Sequence, residues 1–533
     1  MGHHPVLLGL WSRGDWNHPG PALFYLLALP YRLSGGSLGL YVGALIINGA
    51  ALVGMALVAR RRGGTVFYVL TVVGCAALVW GLGPSFVRSP WNPSIPVLPF
   101  GLVVFLCWAA ACGERWALPL AAAVASFCAQ THVGYVPLVL PLLIWAGIWL
   151  ALPVLRAWRT HAPRVGVQLR ALGGTALATA VVLGAMWLPP LIEEVRHRPG
   201  NLVNIREYFG TPSDDVATLG DGLRIVGSQL TLWPTWLRRE RPLDIYSHEP
   251  LLLQTTPVPV LLTLVLIAAV VLFRRRHRDA GLLVATVGVA MALGVLSVSR
   301  VIGPVVDYRL AWANVLGMLA FLAVSWTAWL VLQRRNPSVM RRVLPVMAVA
   351  LVLGGLVNTV DTARTTWHES PSQFSVVVDR LVPPTINALP KRAGVVLMRP
   401  VGRPAEVFQG MFLELERRGI DVRTDRPRGI IGSGADHRVW HGEHLRATVT
   451  VAERRELDDL LARGQQPVAY WGTPSPGERA RRAGQAAALD AEHRSGDLGD
   501  VDYFVRTRRV SRGLERPATG VFMVHGGALP TGT

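Results

Sequence analysis

Apolar runs of membrane-spanning length constrain this sequence more than any other feature. A helix needs about 20 apolar residues to cross the hydrocarbon core of a bilayer. Ten runs approach that length, at 39–59, 65–84, 96–112, 116–131, 134–153, 171–190, 257–273, 280–298, 310–332 and 343–360. Half of the 533 residues are hydrophobic (51%) and only 16% are charged. This composition argues against a large soluble protein and predicts an α-helical polytopic membrane protein of about ten transmembrane helices.

The basic residues indicate which connections face the cytoplasm. A net charge of +19 would suggest a nucleic-acid partner in a soluble protein, but here sixteen arginines lie in the connections after the first, third, fifth, seventh and ninth runs. Only Glu114 and Asp279 oppose them there. The positive-inside rule therefore makes these connections cytoplasmic, in what we take to be a bacterial inner membrane. The alternate connections, 85–95, 191–256 and 299–309, and all residues after 360, are then extracytoplasmic, and no nucleic-acid partner is expected.

The same alternation places residues 1–38 outside. Within them, the apolar segment from Pro21 to Leu33 is shorter than a spanning helix, which predicts an interfacial or re-entrant helix. Its polar lead-in carries Asp15 and His18. A chain that begins outside without a preceding span is unusual, so we expect translation to start upstream of Met1.

Polar and aromatic residues recur in the predicted extracytoplasmic connections. Arginine is suited to hold a phosphate, a carboxylate or histidine to move a proton, and an aromatic ring to stack on a sugar. The set therefore predicts a site for a sugar carried on a phosphate-linked lipid. The catalytic candidates are Asp15, His18 and Asp307. The substrate-binding candidates are Arg88, Asn92, His132, Tyr135, Arg206, Tyr308 and Arg309.

Simpler interpretations stand beside each candidate. An interfacial histidine such as His132 is more often a hydrogen-bonded cap, and Asp307 with Arg309 also fits a local ion pair. The proline pair Pro189–Pro190 is typical of a helix stop, and Glu193 after it of a solvated exit segment. The four cysteines, Cys75, Cys107, Cys112 and Cys128, lie inside apolar runs, so neither a disulfide framework nor a metal site is predicted.

A soluble domain is predicted after the last run. We expect three parts: 1–38 as an external loop with an interfacial helix, 39–360 as the transmembrane domain, and 361–533 as a small extracytoplasmic α/β domain. Strand–helix–strand patterns begin at 395 and again at 446, followed by a frayed, glycine-rich tail. The domain has no phosphate-binding glycine motif and no HExxH, so we expect it to support the membrane part or contact an acceptor.

Several motifs resemble those of a known family. The HPGPALFYLLALPYRL segment, WNPS at 91–94, QTHVGY at 130–135 and WLPP at 187–190 are similar to landmarks of the GT-C superfamily of membrane glycosyltransferases, relatives of protein O-mannosyltransferases and aminoarabinose transferases. The resemblance covers about residues 10–360. It implies transfer of a sugar from a polyprenyl-phosphate donor to an external glycan, lipid or protein, with membrane lipid as a further partner.

The resemblance also implies a loop carboxylate as base and allows a divalent cation. The family's acidic residue precedes the HPGP-like helix, in a region from which this sequence retains only Asp15. We therefore expect this sequence to be truncated at its N-terminus and Asp15 to have a structural role.

Two other classes of function remain open. A transporter or lipid flippase would favour charged residues at mid-membrane depth and broken helices in paired halves, and neither pattern is evident here. A catalytically inactive scaffold for cell-envelope enzymes would show the same architecture without the chemistry.

Overall fold

The computed structural model describes 5–335 and 373–524 with short gaps. The gaps are 13, 15, 162, 164, 212–215, 232–233, 238–259, 276, 304, 402–404, 426–437, 473–474 and most of 499–517; from 336–372 it describes only 345–346, 349, 353–355 and 357. The chain divides into two compact units, Val6–Thr362 and Ala363–Thr533. Each unit has a hydrophobic core of its own.

The N-terminal unit is built from helices. They are α1 (Ala22–Ser34), α2 (Leu38–Leu82), α3 (Pro84–Val87), α4 (Val97–Ala111), α5 (Ala117–Thr131), α6 (Val136–Arg159), α7 (Val165–Arg196), α8 (Asn201–Gly210), α9 (Leu219–Ser228), α10 (Val260–Arg275), α11 (Arg278–Val298), α12 (Asp307–Leu310) and α13 (Trp312–Arg335), with 3₁₀ turns at Val133–Tyr135 and Thr235–Leu237. In α2, Gly64 has φ +70° and ψ −167°, so two helices meet there at a kink. This kink separates the runs predicted at 39–59 and 65–84.

The helix lengths agree with a polytopic membrane protein. Among the described residues, five helices are long and apolar enough to cross a bilayer: α2, α6 with its preceding 3₁₀ turn, α7, α11 and α13. Shorter apolar helices are α1, α4, α5 and Leu262–Leu272 of α10. Helices thus occupy the nine runs predicted between 39 and 332, whereas the run at 343–360 falls mostly outside the described residues. The expected number of spans stays a prediction.

Helix α4 forms the centre of this unit. Every residue from Val97 to Ala111 is buried except Leu102, which is half-buried, and α4 packs against α2, α5, α6, α11 and α13. The Trp108 indole N–H donates to the Asp279 carbonyl at 2.8 Å. By contrast, α7 leaves Leu177, Val181 and Leu188 exposed, as expected of a helix that faces lipid.

The prediction that Pro189–Pro190 stops a helix is wrong. Helix α7 continues through both prolines to Arg196. Proline lacks an N–H, so Pro190 cannot bond the carbonyl of Met186 four residues earlier. Gln130 on α5 supplies the missing donor, because its Nε2 donates to Met186 O at 2.8 Å. A neighbouring helix thereby satisfies the carbonyl that proline leaves free.

Three arginine-bearing connections meet at one end of the unit. Arg61 Nη2 lies 3.0 Å from Glu114 Oε2, and Arg62 Nη1 lies 3.3 Å from Glu114 Oε1. Arg62 also pairs with Asp279. The two acids expected among the cytoplasmic arginines are therefore both in ion pairs with the first connection. That this end faces the cytoplasm remains a prediction.

The C-terminal unit contains a five-stranded sheet in the order β2-β1-β3-β5-β4. The strands are β1 (Val395–Val401), β2 (Val422–Arg423), β3 (Leu445–Glu453), β4 (Ala469–Trp471) and β5 (Thr519–Val524). Strand β1 is parallel to β2 and β3, whereas β5 is antiparallel to β3 and β4. Its helices are Gln373–Ala388, Ala405–Arg417, Arg454–Ala462 and Pro476–Ser495.

The two strand–helix–strand repeats are confirmed, but the tail is not simply frayed. Strand β5 lies within it, and its buried Val521 and Phe522 complete the sheet core. A six-residue apolar strand has too little periodicity to identify from sequence alone. The helix at 476–495 carried clearer signals: Ser475 Oγ accepts from Glu478 N–H at 3.2 Å, Pro476 opens the helix, and Gly496 ends it at φ +85°.

Candidate functional site

A short antiparallel loop presents the first site residues. Gly9 N–H donates to His18 O at 2.9 Å, and His18 N–H returns a bond to Leu10 O at 2.8 Å. Trp11 and Asn17 form an isolated bridge within this loop. The pairing holds Trp16, Asn17 and His18 in buried positions, so the polar lead-in to α1 is packed into the unit.

Gln130 docks the start of α1 onto α5 and α7. Its Oε1 accepts from Ala22 N–H at 3.2 Å, while its Nε2 bonds Met186 O. The Ala22 N–H is one of the first-turn donors that a helix cannot satisfy internally. A Cβ at Gly20 would lie 2.4 Å from Gln130 Oε1, so the close approach requires glycine there. One buried amide thus fixes the position of the HPGP segment.

Helix α1 carries apolar residues on both its buried and its exposed faces. Ala22, Leu23 and Leu27 are buried, whereas Leu29 and Leu33 are exposed. The helix has 13 residues, too few to span. Its placement in a membrane interface stays a prediction.

Two histidines lie together beside this segment. The ring centroids of His18 and His132 are 4.8 Å apart, with the planes tilted by 30°. Val133 N–H donates to His18 Nδ1 at 3.2 Å, and Gly134 N–H donates to His132 Nδ1 at 3.2 Å. Because Nδ1 is the acceptor in both rings, each neutral imidazole carries its proton on Nε2.

Burial keeps both histidines neutral near pH 7. Burial, together with the nearby charge of Arg309, lowers the pKa of His132 to about 4. Burial, and secondarily His132, also lowers the pKa of His18 well below its ordinary value. Both Nδ1 lone pairs accept backbone hydrogen bonds, so the rings are suited to donate from Nε2. The arrangement favours this donor role for His18 over the predicted role in proton transfer.

Arg309 and two aromatic residues lie at the same end of the bundle. Arg309 Nη1 donates to Ile302 O at 3.1 Å, and its charge acts on His132. The rings of Trp91 and Tyr308 are 4.8 Å apart. The Trp91–Tyr308 contact joins α12 to the segment before α4, and the Arg309 hydrogen bond joins α12 to the loop after α11.

Asn92 and Tyr135 extend the group. Asn92 is buried and its Nδ2 donates to Thr131 O at 3.4 Å. The Tyr135 ring lies edge-on to His132 at 6.2 Å. The structure therefore brings together six of the ten predicted site residues. They are His18, Asn92, His132, Tyr135, Tyr308 and Arg309.

The other four predicted residues are placed differently. Asp307 is exposed at the first position of α12, and Arg206 is exposed on α8. Arg88 is half-buried directly after α3. Asp15 lies outside the described residues. No catalytic carboxylate is therefore seen beside the histidine pair in the part of the chain described.

Glu193 and Asn201 hold the backbone of Asn17, next to His18, in place. The sequence did not indicate this role. Asn17 N–H donates to Asn201 Oδ1 at 2.7 Å, and Asn201 Nδ2 donates to Asn17 O at 2.8 Å. Glu193 Oε2 accepts from Asn201 N–H at 3.1 Å. Glu193, expected to be solvated, is only 8% exposed. Asn17 and Asn201 are 184 residues apart, and no local pattern specifies such a pairing.

The described residues do not fit a divalent cation. No three His, Cys, Asp or Glu side chains come together among them. At the histidine pair both Nδ1 atoms accept backbone hydrogen bonds and the nearest charge acting on His132 is that of an arginine. We assign no step to a metal.

Comparisons with known proteins give one structural similarity. No family model matches this sequence, and no curated protein does either. Among solved structures, the chain is similar to the crystal structure of ArnT from Cupriavidus metallidurans bound to undecaprenyl phosphate, with 14% identity over 86% of this chain and 88% of that one, and a TM-score of 0.45. What the fold and the contacts define is a helical membrane protein with a polar site at one end of its bundle.

Proposed function

We propose that this protein is a membrane glycosyltransferase of the GT-C type that transfers a sugar from a polyprenyl-phosphate donor to an acceptor glycan, lipid or protein. The observation that carries the proposal is the convergence of Arg309 with two neutral histidines at one end of an apolar helical bundle. An anionic headgroup on an apolar chain matches that combination of charge, donors and lipid-facing helices. The motif resemblance at 10–360 supports the same class.

Phosphate recognition is assigned to Arg309 and the histidines. A guanidinium binds phosphate through charge-assisted hydrogen bonds, and a neutral imidazole Nε2–H adds a donor without adding charge. The Trp91–Tyr308 pair offers aromatic surface for a sugar face. The polyprenyl chain would lie in the bilayer against exposed apolar helix faces such as that of α7.

The reaction needs a base for the acceptor. The acceptor hydroxyl oxygen attacks the anomeric carbon, the bond from that carbon to the phosphate oxygen breaks, and polyprenyl phosphate leaves with the electron pair. The acceptor proton passes to a carboxylate. Asp307 is our candidate because it precedes Arg309 at the same end of the bundle; Asp15 is the alternative from the N-terminal loop.

We place this end of the bundle and the C-terminal unit on the extracytoplasmic side of a bacterial inner membrane. The arginines at the other end support this orientation through the positive-inside rule. The C-terminal unit is proposed to contact the acceptor or to support the membrane unit.

The test is sugar transfer in proteoliposomes from radiolabelled polyprenyl-phosphate sugars. Arg309→Gln should lower transfer about 10- to 100-fold, the value of a charge-assisted hydrogen bond of about 1.5–3 kcal/mol. Arg335→Gln is the matched control, because Arg335 is exposed at the far end of α13, which begins just after Arg309. Equal activities of the two variants would contradict the proposal.

The same experiment separates the rival functions. Movement of the labelled lipid between leaflets without transfer would indicate a transporter or flippase. Neither transfer nor movement, with any sugar offered, would indicate a scaffold.

A further inference from the structure

Three buried polar atoms near the histidine pair have no hydrogen-bond partner among the described residues. They are Trp16 Nε1, Thr131 Oγ1 and Tyr135 OH. Their residues are 5%, 2% and 1% exposed. Buried polar atoms in native proteins are almost always paired, so three unpaired atoms beside one site need an explanation.

The three residues lie next to the two histidines. The Trp16 ring lies 5.4 Å from His18, His18 lies 4.8 Å from His132, and His132 lies 6.2 Å from Tyr135. Thr131 directly precedes His132. The four rings therefore form a row in which Trp16 lies at the far end beyond His18, whereas Thr131 and Tyr135 both flank His132.

Thr131 also departs from the usual behaviour of threonine in a helix. Helical hydroxyls commonly bond the carbonyl four residues earlier. Thr286, Thr327 and Thr175 do so in this protein, at 2.7, 2.7 and 3.0 Å. Thr131 makes no such bond, so its hydroxyl is left for another partner.

We propose that Thr131 Oγ1 and Tyr135 OH, which flank His132, form a subsite for the hydroxyl groups of the donor sugar. This proposal rests on the proposed function and names which part of the donor these residues bind. Sugar hydroxyls accept and donate hydrogen bonds, so they match two buried hydroxyl groups. The phosphate is already provided with Arg309 and the imidazole donors, whereas uncharged donors beside aromatic rings suit a neutral polyol.

Shape-conserving substitutions test this subsite without disturbing the fold. Tyr135→Phe and Thr131→Val each remove an atom that has no partner within the described residues. The unliganded variants should therefore be as stable as the parent protein or more stable, because no protein hydrogen bond is lost. Thr71→Val is the matched control, since the Thr71 hydroxyl is also buried and unpaired but lies in α2 past the Gly64 kink.

The experiment measures dissociation constants in nanodiscs for three probes: polyprenyl phosphate, polyprenyl-phosphate glucose and polyprenyl-phosphate mannose. The parent protein should bind at least one glycosylated lipid more tightly than the bare lipid phosphate. Tyr135→Phe and Thr131→Val should each weaken binding of that glycosylated lipid about 2- to 10-fold. The dissociation constant of the bare lipid phosphate should stay within about twofold of the parent value. Thr71→Val should change neither.

Each other outcome overturns a specific claim. If the variants bind the bare and the glycosylated lipid equally more weakly, these atoms contact the phosphate. If the variants bind both lipids as the parent does, these atoms are structural. Either result refutes the subsite. A parent protein that does not distinguish the lipids refutes the subsite while leaving lipid-phosphate binding intact. A parent protein that binds none of the three refutes the proposed function itself.

Discussion

Replacing Gln130 with leucine should release the start of α1 from the helical bundle. The side chain makes two buried hydrogen bonds, from Nε2 to Met186 O at 2.8 Å and from Ala22 N–H to Oε1 at 3.2 Å. Leucine is similar in volume, so little cavity forms and the effect is mainly polar. Pro190 has no N–H for Met186, and Ala22 lies in the first turn of its helix, so neither group regains a partner within its helix.

The magnitude follows from those two unpaired groups. Each buried donor or acceptor left unsatisfied costs about 1–3 kcal/mol, so Gln130→Leu should lose about 2–6 kcal/mol of unfolding free energy. Gln130→Glu tests in which direction the stability changes with pH. A protonated glutamic acid can still donate to Met186 O and accept from Ala22 N–H, whereas the carboxylate would face a carbonyl oxygen. The variant should therefore be more stable at acidic pH, where the side chain is protonated, than at neutral pH.

Denaturant unfolding in detergent, with hydrogen exchange of residues 19–30, measures this prediction. Gln333→Leu is the control, because Gln333 is exposed and only accepts from Trp329 Nε1 at 3.1 Å. It should cost less than about 0.5 kcal/mol. If Gln130→Leu is no more destabilising than this control, or exchange at 19–30 is unchanged, Gln130 does not dock α1.

Three further predictions concern charge and close packing. Because the pKa of His132 is lowered to about 4, the unfolded chain takes up a proton near pH 6.5 that the folded chain excludes. The free energy of unfolding should therefore fall by up to about 3 kcal/mol as the pH drops below 6.5. His132→Gln should reduce this loss when unfolding is measured as a function of pH. Arg62 bridges two acids and its side chain is 18% exposed, so Arg62→Gln should lower the free energy of unfolding by about 1–3 kcal/mol. The Arg61 side chain is 59% exposed, so Arg61→Gln should lower it by less than about 1 kcal/mol in the same assay. Gly20→Ala should displace Gln130 and lower thermal stability by about 1–3 kcal/mol.

The sequence was informative where local composition decides the structure. Apolar runs predicted helices across 39–332 because their burial in lipid or protein depends only on a sustained apolar composition. The kink at Gly64 falls between two predicted runs, at an arginine-rich connection. The repeated strand–helix–strand pattern of the C-terminal unit was predicted for the same reason, since its periodicity changes from 2 to 3.6 along the chain.

The remainder depends on contacts between distant residues. Pro190 was interpreted as a helix stop because the donor that replaces its N–H, Gln130, lies on another helix. Glu193 was interpreted as solvated because its partner Asn201 is fixed by a pairing with Asn17. Such bonds follow from packing, which hydropathy does not encode. The candidate site was predicted as a set of residues on one face, and its histidine pair and support emerged only from the structure.

Photo-crosslinking with a photoactivatable polyprenyl-phosphate sugar tests the central claim most directly. The probe would be bound to the protein in nanodiscs, activated by light and mapped by peptide mass spectrometry. We predict labelling of the segments around Asn92, His132 and Arg309, with competition by unlabelled donor. Labelling confined to the opposite end, around Arg61, Glu114 and Asp279, would contradict the assignment of the donor site.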